Sequence, residues 1–127
     1  MKPTVNLAFR VAALLCLIAI TVLSFTGDPP DPVAGSDKAD HLLAYAVLSL
    51  FVTLGFSHAR SRPIAWIALA LACVAYGGLV ELVQPSFGRF AEWKDLLADA
   101  IGSILGAGFA VFGMTTVRRR RSAERRI

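Results

Sequence analysis

Charge is scarce in this chain. Only 17% of its 127 residues are Asp, Glu, Lys or Arg, where an ordinary soluble domain carries about 25%. Cysteine is almost absent: Cys16 and Cys73 are the two thiols, too few for a disulfide-stapled secreted module. Hydrophobic residues instead reach 56% and mean hydropathy is +0.62. That excludes a disordered chain, which lacks apolar surface to bury. The net charge of +4 does not indicate a basic nucleic-acid binder, because six of the thirteen basic residues fall in the last ten positions, after a long apolar run. A basic segment there marks the cytoplasmic end of a membrane helix.

Four apolar runs cover about 5–25, 39–57, 64–83 and 95–117. A bilayer core of roughly 30 Å needs about 20 helical residues, and each run meets that length. None alternates with period two, so none reads as a strand of a barrel, and backbone in lipid must satisfy its own hydrogen bonds. The expected fold is an all-α integral membrane protein, a four-transmembrane-helix antiparallel bundle in one domain, with 118–127 as a basic cytoplasmic tail. Pro29, Pro30 and Pro32 with Gly27 and Gly35 break the first connection, and the other connections are short. Cys16 and Cys73 fall inside runs and read as small buried apolar groups.

Ten Lys or Arg lie at the two termini and in the second connection, against Lys38, Arg89 and Lys94 in the first and third. The positive-inside rule then places both termini in the cytoplasm. The first run also has the basic start and apolar stretch of a secretory leader. Its exit, Ser24-Phe25-Thr26-Gly27, is a poor small-x-small cleavage site, so a retained span is expected.

Polar residues within the runs fall on stripes. Asp37, His41 and Tyr45 are spaced i, i+4, i+8, with Asp40 at the border. Gly77, Glu81 and Gln84 share one face of the third run. Asp95, Asp99, Gly102, Gly106 and Gly113 share another on the fourth. Intramembrane charges are costly and usually mark function; an internal network that pins helices together is the competing explanation. In the expected topology all three stripes reach the outer third of the membrane, giving a small polar cavity that opens outward below Arg89 and Lys94. Gly102-x-x-x-Gly106 reads as a close helix–helix contact. Asp37 and Asp95 suit helix N-termini. Phe90 and Trp93 read as interfacial anchors. The Arg118–Arg121 run reads as a topology signal that also attracts anionic headgroups.

The ordered set Asp37-Lys38-x-x-His41-x-x-x-Tyr45, then Glu81-x-x-Gln84, then Arg89, then Asp95-x-x-Ala98-Asp99-x-x-Gly102-x-x-x-Gly106 resembles the VanZ-like family over residues 37–106. One departure is Asp99, where many members carry Asn; it adds potential negative charge to the site. The resemblance implies a small bacterial inner-membrane protein of about four helices. The family's namesake is associated with resistance to the glycopeptide teicoplanin.

The expected ligand-binding residues are Asp37, Lys38, His41, Tyr45, Glu81, Gln84, Arg89, Asp95 and Asp99. Three functions compete. An envelope protein would bind a lipid-linked or cell-wall ligand, or a membrane partner or second copy, through this cluster. A membrane-embedded enzyme would use His41, Glu81 or Asp99 for acid–base chemistry on a lipid-linked phosphate or saccharide, with Lys38 and Arg89 holding the phosphate. A small proton-coupled exporter is the third; the chain resembles small four-helix multidrug transporters only in length, since those depend on an acid in the first helix and this first run has none. No zinc-protease, rhomboid-type serine or phosphate-loop motif is present, and no metal or cofactor is expected. The balance leans away from an enzyme.

Overall fold

A computed structural model describes residues 3–26, 36–56, 63–88 and 91–124. Four helices account for nearly all of them: α1 (Pro3–Thr26), α2 (Ser36–Gly55), α3 (Pro63–Val83) and α4 (Trp93–Glu124), with a 3-10 turn at Gln84–Phe87 after α3. Proline sets two of the boundaries. Pro63 opens α3, where its missing N–H costs nothing. Pro85 sits in the turn that ends α3, and Gly88 closes that turn at φ 76°, a left-handed conformation suited to glycine.

The distribution of polarity is inverted relative to a water-soluble protein. Large apolar side chains face outward on all four helices, with Leu7, Leu82, Phe109 and Phe112 each at least 61% exposed. The buried positions include Asn6, Ser49, Thr53, Glu81, Gln84, Asp95, Asp99 and Ser103. Such a surface is stable against hydrocarbon, and the polar groups find partners only inside. Each helix contains a segment long and apolar enough to cross a membrane. The expectation of an all-helical bundle of four membrane-length helices holds.

Helix α2 is central, packed most extensively on α4 and next on α1, while α3 leans on α4. The α2–α4 contact is close because of Gly102 and Gly106: a Cβ at Gly102 would collide with the Leu42 carbonyl oxygen, and one at Gly106 with that of Ala46. Ser49 Oγ donates to the Ser103 carbonyl across the same seam at 2.8 Å. Gly113, expected on that stripe, is exposed with nothing near its Cβ position. The seam runs out before reaching it, because α2 ends at Gly55. On the other side of α2, Arg10 Nε donates to the Gly55 carbonyl at 2.9 Å and its guanidinium stacks on the Phe56 ring. Arg10 thereby satisfies a carbonyl at the α2 C-terminus. Thr21 Oγ1 and Tyr76 Oη form a hydrogen bond that ties α1 to α3.

Helix α4 has 32 residues, about 48 Å of helix, more than a bilayer core of roughly 30 Å. The segment expected as a tail from residue 118 therefore begins as helix and stays helical through Glu124.

Candidate functional site

The three stripes meet at one end of the bundle, where α2 begins, α3 ends and α4 begins. The Phe25–Phe87 ring contact, 4.8 Å between centroids, puts the end of α1 there too. His41 Nδ1 and Asp99 Oδ1 are 2.9 Å apart, joining α2 to α4. The exposures of Glu81, Asp95 and Asp99 are 6%, 4% and 1%. One ring nitrogen of His41 and one carboxylate oxygen each of Glu81 and Asp95 lie within 4.8 Å of one another. Three helices thus deliver one ligating group apiece to the same point.

Glu81 is held from two directions. The backbone N–H of Glu92 donates to its Oε2 at 3.0 Å. Gln84, with its amide nitrogen turned to the carboxylate, donates to both oxygens at 3.3 Å. The 3-10 turn matters here: it carries Gln84 back over the last turn of α3 and keeps it buried. Lys38 closes the rim, with Nζ 3.2 Å from Glu92 Oε2 and 3.7 Å from Asp95 Oδ1. Asp95 lies in the first turn of α4, where the helix dipole favours a carboxylate.

One turn deeper, the Tyr45 ring is 1% exposed and nearly parallel to His41, at 6.5 Å between centroids. Gly77 makes room for this layer, since a Cβ there would strike the Asp99 carboxylate and crowd the Tyr45 ring. Tyr45 Oη and Asp99 Oδ2 are buried without a hydrogen-bond partner among the described residues.

The structure thus brings together Lys38, His41, Tyr45, Glu81, Gln84, Asp95 and Asp99. Arg89 and the side chain of Asp37 lie outside the described residues, as does Phe90. Asp40 and Lys94 are exposed. Among the described residues the polar groups form a cluster with Lys38 at its rim. An open space does lie beside it, but it is apolar. A groove of about 440 Å³ runs between α3 and α4, lined by Gly78, Leu79, Leu82, Trp93 and Leu96, with Glu81 in its wall. Sequence reasoning missed this groove, the Glu92 backbone donor and the role of Gly77. Only Gly77 left a signal, four residues before Glu81 on the same face.

Four membrane-length helices around a buried polar cluster define a four-helix membrane protein. No family model, curated protein or solved structure matches the chain, so the VanZ-like resemblance rests on the ordered residues between 37 and 106 alone.

Proposed function

We propose that the chain is a VanZ-like protein of the bacterial inner membrane that binds a lipid-linked envelope ligand. Its cluster faces outward and both termini face the cytoplasm. The supporting observation is the juxtaposition of the apolar α3–α4 groove with the polar cluster through Glu81, which belongs to both. A molecule with a long apolar chain and a polar head matches that pairing. The groove opens on the lipid-facing side of the bundle, where exposed Leu79, Leu82 and Trp93 border it. Orientation follows from the excess of Lys and Arg at the termini and in the second connection. A role in tolerance to teicoplanin is the corresponding expectation at the level of the cell.

Native mass spectrometry of the protein released from bacterial membrane tests the reading. Wild type is compared with Gly78→Leu, which fills the groove, and Glu81→Gln, each checked for folding by thermal melt. The expected result is a lipid of defined mass on wild type that both folded variants lose. The same broad lipid distribution on all three proteins would contradict it.

A second reading is an enzyme acting on such a lipid, and one observation favours it. His41 and Asp99 form a part-buried imidazole–carboxylate pair, the arrangement that orients a general base. Turnover of the identified lipid in detergent, abolished by His41→Gln, separates the enzyme from the binder.

A further inference from the structure

We infer that His41, Glu81 and Asp95 form a binding site for a divalent transition-metal cation, with Asp99 positioning the histidine. The three donors come from different helices and lie within 4.8 Å of one another. Donors about 2.1 Å from a tetrahedral ion sit about 3.4 Å from one another, so side-chain shifts of about an ångström close the set. One imidazole with two carboxylates suits Zn²⁺ or Mn²⁺, which accept mixed nitrogen and oxygen ligands.

The surroundings match what metal sites require beyond their ligands. A ligating histidine characteristically donates its other ring N–H to a carboxylate, which fixes the tautomer. Asp99 Oδ1, 2.9 Å from His41 Nδ1, is placed for that role. Glu81 is oriented in turn by the Glu92 N–H and the Gln84 amide.

A separate observation comes from the layer beneath. The Tyr45 hydroxyl is buried without a hydrogen-bond partner among the described residues, one turn below His41. Tyrosine in a helix leans toward the N-terminus, which here is the His41 side. Asp99 Oδ2, also without a partner among the described residues, packs against Gly77. A buried hydroxyl beside the cluster that no described residue satisfies calls for a partner.

Charge leads to the same assignment. Glu81, Asp95 and Asp99 place three carboxylates in the interior, where negative charge favours a cation beside it. Lys38 meets Asp95 at the rim, at 3.7 Å and 40% exposed. A divalent cation at the three donors offsets this charge where it is concentrated. It also turns a site that repels phosphate into a Lewis acid that attracts it. That last consequence rests on the lipid-linked reading; the metal site itself rests on the cluster alone.

The test uses the tag-free full chain carrying His58→Gln, which leaves His41 as its one imidazole. The protein is stripped with chelator in detergent and titrated with MnCl₂, followed by electron paramagnetic resonance. The expected result is one Mn²⁺ per chain with nitrogen hyperfine coupling from a directly bound imidazole, displaced by Zn²⁺. Glu81→Gln and Asp95→Asn should each weaken binding by at least about tenfold, and Asp99→Asn by about 10- to 100-fold. Asp40→Asn, on the exposed surface, should leave it unchanged. Mn²⁺ that stays without nitrogen coupling in the folded chain overturns the inference, as does binding that survives both ligand substitutions. If those variants fail to fold, the coupling in the chain with the ligands intact decides. Lipid retention is read separately by mass spectrometry, so failure of the metal site and failure of the lipid reading are distinguishable.

Discussion

Tyr45 illustrates how a single side chain separates packing from chemistry. Its ring is sealed between His41 and Tyr76, at 6.5 and 6.3 Å between centroids, and that contact is apolar. Its hydroxyl has no hydrogen-bond partner among the described residues, and an unsatisfied buried hydroxyl costs about 1–3 kcal/mol. Tyr45→Phe keeps the ring and removes the hydroxyl. The expected outcome is an equal or higher unfolding temperature in detergent, with weaker retention of whatever the cluster binds. A marked fall in unfolding temperature would mean that the hydroxyl stabilises the fold. His41 and Asp99 behave differently, because His41 Nδ1 and Asp99 Oδ1 pair with each other. His41→Ala leaves a 1%-exposed carboxylate without its imidazole, and orphaning a buried charge costs about 3–5 kcal/mol. Asp99→Asn retains an acceptor for the ring N–H, so its thermal melt should lie close to wild type and well above that of His41→Ala.

At the scale of the helices, the α2–α4 seam decides the architecture. Backbone meets backbone at Gly102 and Gly106, and neither chain can yield as a flexible side chain would. Gly106→Leu should therefore force the helices apart and cost about 1–3 kcal/mol, read as loss of thermal stability. Gly113→Ala meets nothing within reach and gains helix propensity of up to about 1 kcal/mol, so it should be neutral or stabilising. This seam was legible in sequence because glycines four apart on a helix share a face. So were the stripes that bring Glu81 and Gln84 toward Asp95 and Asp99. The limit of the seam was not legible at Gly113, since helical spacing says nothing about where the partner helix ends. The Lys38 rim contact and the Glu92 donor escaped for a similar reason: each depends on how loop backbone and long side chains settle between helices. The groove is the shape left between α3 and α4 once both pack, and no residue spacing encodes it. Helix α4 outran its expected end because its arginines are good helix formers, although they end the apolar run.

For the molecule as a whole, the inverted polarity and the even number of membrane-length helices constrain topology. An even number of spans returns both termini to one side. The proposed orientation, drawn from the skewed distribution of Lys and Arg, puts that side in the cytoplasm. In a chain with Cys16→Ala and Cys73→Ala, single cysteines at Thr4, Ser86 and Ala123 test the assignment. A membrane-impermeant thiol reagent added to intact spheroplasts should label the position 86 cysteine alone. Those at 4 and 123 should react only after permeabilisation; the opposite pattern would invert the bundle and place the cluster on the cytoplasmic side.

The central claim is that the buried cluster exists to bind something and is not there to hold the helices together. Functional sites are commonly built at a cost in stability, and structural networks are not. Glu81→Gln distinguishes the two most directly, because an amide oxygen can still accept the Glu92 N–H while the charge facing Asp95 and Asp99 disappears. The measurement is the thermal unfolding of wild type and Glu81→Gln, both full-length and both stripped of lipid and metal. The account predicts that the variant unfolds at the same temperature or higher. A variant that unfolds well below wild type would show that the cluster is structural.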